Sequence, residues 1–204
     1  MAGPDALVWV DCEMTGLDLT RDALIEVAAL VTDNELNVLG EGVNIVVKPP
    51  PGALDQMAEV VVAMHTTSGL LDRLDGGTTL ADAEAQVLDY VRQFVPEPRK
   101  APLAGNSVGT DRTFLDRDMP ELVGHLHYRI VDVSSIKELT RRWFPKVYYA
   151  SPDKTGNHRA LGDIRDSIDE LRYYRSTVFV PVPGPDTTAA RAAATQVTGN
   201  RTGT

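Results

Sequence analysis

The sequence contains few of the features that cross-link a protein or anchor it in a membrane. Its 204 residues include one cysteine, Cys12, so no internal disulfide can form. No apolar run approaches the roughly 20 residues of a membrane-spanning helix, and no basic region precedes the short apolar run near the amino terminus. We therefore expect a cytoplasmic protein whose core needs no covalent staples. Cys12 itself is expected to be a small buried apolar residue, with a thiol ligand as the alternative.

Positive charge is also scarce, because 20 Lys and Arg face 29 Asp and Glu and give a formal net charge of −9. Proteins that grip long nucleic acids usually present a basic face, so this balance argues against that class. The charge is uneven, however. Residues 1–100 hold 17 acidic and 6 basic residues, whereas residues 128–175 hold 10 basic and 7 acidic ones. A short anionic ligand, bound through metals and a few Lys or Arg contacts, fits this distribution better.

Hydrophobic periodicity predicts strands first and alternating helices and strands afterwards. Three strand-like runs are separated by short polar turns, which favours an antiparallel meander: Leu7–Cys12, Ala23–Thr32 and Val38–Lys48. Helical spacing begins at Leu54, and Ser134 or Ser135 is the predicted N-cap of the helix in SSIKELTRRWF.

This order of elements predicts an α/β fold with a mixed central sheet, in which an antiparallel meander is followed by parallel strands and helices cover both faces. Residues 1–180 form the predicted single domain. Residues 181–204 are rich in Pro, Thr, Ala and Gly and lack hydrophobic periodicity, so we expect a disordered tail there.

Two acids lie on one predicted strand face. Asp11 and Glu13 are two residues apart in an apolar, β-branched run, so both side chains leave the same side of the strand. Carboxylates buried there would carry a large desolvation penalty unless a cation lay between them. The alternative for such a pair is a solvated strand tip.

Two further acids and a histidine fall near predicted helix starts. Asp111 follows a short strand and a glycine, at the sheet edge where open α/β sheets bind ligands, although an acid favoured by the helix dipole is the alternative. His158 and Asp163 are five residues apart and do not share a helical face. We place His158 in the preceding loop or first turn and Asp163 inside the helix; an exposed loop histidine and a surface acid are the alternatives.

Four segments together resemble the motifs of the DEDDh exonuclease superfamily and, more narrowly, the oligoribonuclease family: VDCEMTGLD, NSVGTDRTFLDRDMPEL, HYRIVDVSSIKEL and NHRALGDIRDSIDELRYYR. The resemblance extends from about Leu7 to Tyr174. It implies a ribonuclease H-like exonuclease fold, a homodimer, and 3′-to-5′ hydrolysis of short oligoribonucleotides, especially dinucleotides, to 5′-mononucleotides.

The resemblance also implies a set of catalytic residues. Two Mg²⁺ or Mn²⁺ ions would flank the scissile phosphate on four acids, which are Asp11, Glu13, Asp111 and Asp163. His158 corresponds to the general base, a role that suits a side chain that is neutral at working pH. Tyr128 is counted with the catalytic set.

The remaining residues implied by the resemblance bind substrate. Leu17 and His65 flank bases or sugars, and five residues, some from a second subunit, gather near the 5′ phosphate and exclude longer chains: Ser107, Tyr128, Arg129, Ser134 and Lys137. The residues alone would make Leu17 a turn hydrophobe and Tyr128 an ordinary strand aromatic. One position departs from the family, because Val60 stands where an aromatic residue is common.

Two other functions compete with this prediction. One is a DEDDh exonuclease that trims longer RNA or DNA, against which the acidic composition and the His-Tyr-Arg segment count. The other is a catalytically silent module that binds nucleotides or a protein partner through the same fold. The presence of all five predicted catalytic residues counts against that module.

Overall fold

The structure is a computed structural model that describes residues 5–153 and 159–199. The predicted base His158 lies outside the described residues. The central feature is a five-stranded sheet in the order β3-β2-β1-β4-β5. Its strands are β1 (Leu7–Met14), β2 (Leu24–Thr32), β3 (Val38–Val46), β4 (Pro102–Gly105) and β5 (His127–Asp132).

The first three strands pair antiparallel, whereas β4 pairs parallel to both β1 and β5. Every residue of β2 is buried, which explains its nearly continuous apolar sequence. The predicted mixed sheet, a meander followed by parallel strands, is confirmed. Because β1 stands between the antiparallel and parallel parts, its carboxyl end lies beside that of β4, where α/β sheets commonly place their ligands.

Eight α-helices and one 3₁₀ turn connect or cover these strands in the described part of the chain. They are α1 (Glu59–Thr67), the 3₁₀ turn (Leu71–Gly76), α2 (Leu80–Phe94), α3 (Gly109–Asp118), α4 (Pro120–His125), α5 (Val133–Trp143), α6 (Pro145–Tyr149), α7 (Ala160–Thr177) and α8 (Thr187–Gly199). None of these helices is both long and apolar enough to cross a membrane.

Alternation along β1 divides the core into two layers. Val8 and Val10 pack toward α2, α3 and α4, whereas Trp9 packs on the other face against α7 and the start of α5. The prediction of helices on both faces is therefore confirmed. Asp11 and Glu13 follow Trp9 in the same alternation, so their side chains project on the α7 face.

Three local predictions differ from the structure. The first helix begins at Glu59 rather than Leu54, because a proline-rich stretch and Gly52, with φ +81°, form turns there. The N-cap of α5 is Asp132, whose carboxylate accepts the Ser134 N–H, so the predicted Ser134 or Ser135 cap is wrong. The short helices α4 and α6 were not predicted; each has proline in its first turn.

The carboxyl-terminal segment also differs from the predicted disorder, because Thr187–Gly199 forms the helix α8. Alanine is the strongest helix former and recurs through this segment. None of the helix's residues is buried, so little tertiary packing supports it. The boundary of the domain at residue 180 stays a prediction.

Candidate active site

Three of the predicted metal ligands meet at the carboxyl end of β1. One carboxylate oxygen from each of Asp11, Glu13 and Asp163 lies within 4.8 Å of the others. Two oxygens bound to one small cation at about 2.1–2.4 Å are at most about 4.2–4.8 Å apart, so the three carboxylates fit around a divalent ion. Asp163 comes from the first turn of α7, which packs against β1. The docking of α7 on the sheet therefore completes the cluster.

Asp111 lies beside this cluster but is held differently. It is in the first turn of α3 and is buried, and its Oδ1 accepts the backbone N–H of Cys12 at 2.9 Å. That hydrogen bond fixes Asp111 against the strand between Asp11 and Glu13. Asp111 is not a member of the 4.8 Å group, so the structure brings three predicted ligands together and places the fourth at their edge.

Crowding of buried carboxylates shifts their pKa values upward. Burial raises the pKa of Glu13 to about 8, helped by the charges of Glu26, Asp163 and Asp111. Burial also raises the pKa of Asp111 to about 6, against the lowering effect of the Cys12 N–H. The pKa of Asp11 is raised well above its ordinary value by burial first and then by Asp111 and Glu13. A bound divalent cation would relieve this cost, which marks the site as one built for positive charge.

Cys12 projects away from Asp11 and Glu13 into the opposite core layer, where its thiol lies within hydrogen-bond reach of Asp111. Burial, followed by the charges of Asp111 and Asp11, raises the pKa of its thiol well above the ordinary value. A protonated, buried thiol is a poor metal ligand. The structure therefore supports the expected role as a small apolar core residue.

His65, on α1, is almost completely buried, with 1% of its surface exposed. Its Nε2 lies 2.9 Å from the Met14 carbonyl oxygen and so carries the hydrogen, while Nδ1 lies 3.9 Å from Oε2 of Glu13. These contacts place His65 behind a predicted metal ligand. Its predicted contact with a base or sugar stays a prediction.

Leu17 is presented by a loop that a buried carboxylate organises. The carboxylate of Asp22 accepts the backbone N–H of Asp18 at 2.8 Å and the hydroxyl of Thr15 at 3.3 Å. A Cβ on Gly16 would come within 2.3 Å of that carboxylate, so only glycine fits there. The loop leaves Leu17 74% exposed directly after the acidic strand. An apolar side chain that exposed beside a charged site is consistent with the predicted contact to a base.

Asp132 joins two of the residues predicted near the 5′ phosphate. Its Oδ1 accepts the backbone N–H of Ser107 at 2.9 Å, the N–H of Ser134 at 2.9 Å and the Ser134 hydroxyl at 2.6 Å. Ser107 has φ +60°, an unusual conformation for a serine. Backbone strain of this kind persists where surrounding contacts enforce it, as the Asp132 carboxylate does here. Both serines therefore lie together at the carboxyl ends of β4 and β5.

Lys137 reaches the same corner from α5. Its Nζ lies 3.0 Å from Oε1 of Glu170, whose Oε2 accepts the Nδ2 hydrogen of Asn106 at 2.8 Å. Asn106 directly precedes Ser107. The structure thus brings three of the predicted phosphate-binding residues together through two carboxylates, Asp132 and Glu170.

Tyr128 and Arg129 lie elsewhere. They are at the amino end of β5, four and three residues before Asp132, and four residues of extended strand span about 13 Å. Tyr128 is 74% exposed, and its hydroxyl accepts the Nε hydrogen of Arg129 at 3.1 Å. Within one chain these two residues are separated from the corner that holds Ser107, Ser134 and Lys137.

Sequence reasoning missed the supporting residues Asp22, Asn106, Asp132 and Glu170. A signal existed for Asp132, since an aspartate that ends a strand two residues before a serine is a common helix start. Asp22 and Glu170 had no comparable signal. A buried carboxylate and an exposed one look alike until the elements around them are packed.

Comparison with known proteins supports the geometry. The family model described as Exonuclease matches residues 8–171, which include all the acids of the cluster. The fold and the site therefore define an exonuclease-type hydrolase.

Three relatives narrow this class. The chain is 73% identical over 190 residues to an oligoribonuclease of Streptomyces coelicolor, covering 93% of this chain and 95% of the relative. It is 72% identical over 193 residues to that of Streptomyces griseus (95% and 96%), and 61% identical over 197 residues to that of Cutibacterium acnes (97% and 98%). The chain belongs to the oligoribonuclease family, and the prediction of an exoribonuclease is confirmed by these relatives.

Solved structures show the same fold at low sequence identity. Exonuclease I of E. coli, in complex with a 5cy-dT13 oligonucleotide, superposes with a TM-score of 0.60 at 18% identity, covering 85% of this chain and 41% of that one. Exonuclease I of Methylocaldum szegediense gives 0.57 at 22% identity, covering 85% and 41%. The chain thus spans less than half the length of these structures. The likeness confirms the exonuclease fold.

The raised carboxyl pKa values predict how pH acts on the metal-free protein. Between about pH 4.5 and about pH 8, folded Glu13 keeps a proton that the unfolded chain has lost, and Asp111 does so between about 3.8 and about 6. Stability without metal therefore falls as pH rises through this window. A divalent cation binds the ionised carboxylates, so the rise in Tm that Mg²⁺ or Mn²⁺ produces should be larger at about pH 8.5 than at about pH 5.

Differential scanning fluorimetry with EDTA or metal at the two pH values measures this difference. Asp11→Asn should reduce the metal-dependent rise in Tm, whereas Asp89→Asn, at an acid whose side chain is 78% exposed, should leave it unchanged. An equal rise at both pH values would contradict the coupling between carboxyl ionisation and metal binding.

The packing of Gly16 against Asp22 predicts a specific effect of added volume. Gly16→Ala should displace the Asp22 carboxylate, break its bonds to Asp18 and Thr15, and loosen the loop that carries Leu17. Trypsin should then cut after Arg21 several-fold faster under native conditions.

Gly124→Ala in α4 is the matched control, because nothing lies within 4 Å of a Cβ added there. It should not change the rate of cleavage at Arg21. Equal cleavage in the Gly16 variant and the parent protein would show that the carboxylate does not hold the loop.

Proposed function

We propose that this protein removes mononucleotides from the 3′ end of short oligoribonucleotides, with dinucleotides as its preferred substrate, by a mechanism that uses two Mg²⁺ or Mn²⁺ ions. The observation that carries the proposal is the cluster of Asp11, Glu13 and Asp163, with Asp111 at its edge, in a chain of the oligoribonuclease family. The substrate class follows from the relatives, which are oligoribonucleases, and the acid cluster provides ligands for the metal ions that the reaction would use.

The four carboxylates would hold the ions, since hard oxygen ligands suit both metals. Bound there, divalent cations would lower the pKa of an attacking water and stabilise the leaving 3′ oxygen. The protein's own contribution is to fix the ligands. The β1 strand aims Asp11 and Glu13 to one side, the Cys12 N–H fixes Asp111, and α7 supplies Asp163.

His158 would act as general base. It is five residues before Asp163 in the sequence, and an imidazole with a reference pKa near 6.5 can accept a proton at neutral pH. Water attack on phosphorus would break the bond to the 3′ oxygen and release a 5′-mononucleotide.

Substrate length would be limited by the corner that contains Ser107, Ser134 and Lys137. Two serines and a lysine ammonium held at one corner of the fold would suit a terminal phosphate, which carries more charge than a bridging one. The distribution of the remaining positive charge supports the same conclusion. Many basic side chains are already paired with acids; for example, Arg141 and Arg142 both contact Glu138. Few are therefore left to contact the phosphates of a long nucleic acid.

We also propose a homodimer in which the partner supplies Tyr128 and Arg129. In one chain Tyr128 lies about 13 Å and Arg129 about 10 Å along β5 from Asp132, at the other end of the strand from a phosphate bound beside that residue. They belong to an edge strand, on which the apolar side chain of Ile130 is also exposed. Exposed apolar surface along a sheet edge is a common place for a second chain to pack.

The competing function is exonuclease activity on longer strands. Its support is the fold shared with exonuclease I, whose solved complexes contain oligonucleotides of single-stranded DNA. That likeness is one of fold alone. The silent module has less support, because the clustered acids carry a desolvation cost that a merely structural role does not explain. A cytoplasmic location stays a prediction from the sequence.

The proposed activity predicts a steep dependence on RNA length. With Mg²⁺, 5′-labelled RNAs from dinucleotide to heptanucleotide should be cleaved fastest at the dinucleotide, and EDTA should abolish cleavage. Asp11→Asn should lower kcat by at least about a thousandfold, because it removes a ligand from the cluster.

Asp89→Asn is the control and should retain the parent rate, because its acid is exposed and distant from the cluster in sequence and fold. Faster cleavage of the heptanucleotide than of the dinucleotide would favour the longer-strand exonuclease. No cleavage with either metal would favour the silent module.

If each active site contains residues of both subunits, two variants with impaired activity should regain activity when their subunits are mixed. Arg129→Ala should impair the partner's phosphate site, and Asp11→Asn should disable a chain's own metal site. After mixing under conditions that exchange subunits, mixed dimers should regain activity. At equal amounts, half of the dimers are mixed, and each has one intact site, so roughly a quarter of the parent rate is expected.

Each variant mixed with itself is the control and should show no gain. Absence of rescue in dimers shown by native mass spectrometry to be mixed would contradict a site completed by the partner.

A further inference from the structure

We propose that Glu170 is a positioning residue for the terminal phosphate of the substrate, holding Lys137 and Asn106 in the geometry that binds it. This inference rests on the proposed function, and it concerns a buried carboxylate outside the acid cluster. Glu170 is 5% exposed and lies on α7, seven residues after Asp163, so both acids fall on the same side of the helix.

Among the described residues, side chains from α5, α7 and the loop after β4 meet at this carboxylate. Oε1 contacts Lys137 Nζ from α5 at 3.0 Å and accepts the hydroxyl of Tyr174 at 3.0 Å, while Oε2 accepts an Asn106 amide hydrogen at 2.8 Å. Tyr174 is fully buried, and burial, together with Glu170, raises the pKa of its hydroxyl well above the usual range. The tyrosine therefore stays a donor, and the carboxylate stays fixed.

The charge of Glu170 is what orders Lys137. A lysine has four rotatable side-chain bonds, and holding its ammonium in one place costs conformational entropy when a ligand must do it. The Lys137 side chain is about one third exposed, yet its Nζ is already tied to a carboxylate whose side chain is 6% exposed. A pre-ordered ammonium has two further hydrogens for a phosphate oxygen.

Glu170 also acts on the loop that follows β4. Asn106 is bonded to Glu170, and the next residue, Ser107, adopts φ +60° with its N–H on Asp132. The two carboxylates therefore hold adjacent residues of this strained loop. Removing the charge of Glu170 should therefore release Lys137 and loosen Asn106 together, and leave the metal cluster intact.

The test is Glu170→Gln, measured with a dinucleotide that carries a 5′ phosphate and with the same dinucleotide lacking it. The variant keeps the size of the side chain but loses its negative charge. In addition, the amide group of the glutamine points its own hydrogens toward the groups that donate to Glu170. We expect KM for the phosphorylated substrate to rise about tenfold, in line with loss of a charge-assisted contact. kcat and the KM of the unphosphorylated substrate should change less than about twofold.

Three further variants separate positioning from folding. Lys137→Ala should raise the same KM, and adding Glu170→Gln to it should have little further effect, because both act through one ammonium. Tyr174→Phe removes a donor that helps to fix the Glu170 carboxylate and should raise the KM for the phosphorylated substrate in the same direction as Glu170→Gln, but by less. Glu84→Gln, at a carboxylate that accepts backbone N–H groups at the start of α4, should change neither substrate.

The outcomes are distinguishable. If the parent enzyme does not prefer the phosphorylated dinucleotide, the phosphate corner of the proposed function is wrong. If the parent shows the preference but Glu170→Gln keeps the same KM ratio, or lowers activity equally on both substrates along with Tm, Glu170 has only a structural role and the inference is overturned. Additive effects of the Lys137 and Glu170 changes would overturn it as well.

Discussion

Carboxylates that cannot share a buried space without a cation impose the main constraint on this structure. Asp11 and Glu13 end the central strand, Asp163 approaches from α7, and Asp111 is held at the edge by a backbone N–H. Burial and mutual repulsion raise the pKa values of Asp11, Glu13 and Asp111, so ionising these carboxyl groups without a bound cation costs free energy. The rest of the fold provides the packing that holds these groups together: one face of β1 is packed against α7, and the other contributes Val8, Val10 and Cys12 to the core.

A second set of carboxylates has a different task. Loops and side chains near the acid cluster donate hydrogen bonds to these carboxylates, which are Asp22, Asp132 and Glu170. Each of these carboxylates accepts hydrogen bonds from the protein itself. It thereby holds in place a segment that would otherwise move. Acids that await a cation and acids that order their neighbours thus stand side by side, and only the arrangement of donors tells them apart.

The sequence predicted much of this because its strongest signals are local. Three strand-like runs separated by short polar turns, followed by helical spacing, predicted the sheet and its helical cover. Four acids in recognisable segments predicted the cluster, and three of them are brought together in the structure while Asp111 stands at its edge. The contacts that depend on tertiary packing could not be predicted from the sequence. The burial of His65, the ties of Glu170 to three elements and the hold of Asp22 on Gly16 depend on which surfaces meet. The helix α8 shows a local signal that was missed. Its alanine content favours a helix, although the segment around it is rich in proline and glycine.

The order of the acids along the chain has a consequence for biosynthesis. A nascent chain that ends at Trp143 already contains Asp11, Glu13 and Asp111, but it lacks α7 and with it Asp163. Domains are completed as their last packed element leaves the ribosome, and here that element also carries the last ligand. The cluster therefore closes late in the protein's own synthesis. If the proposed activity needs Asp163, the nascent enzyme would stay inactive until α7 has been translated and has packed against β1.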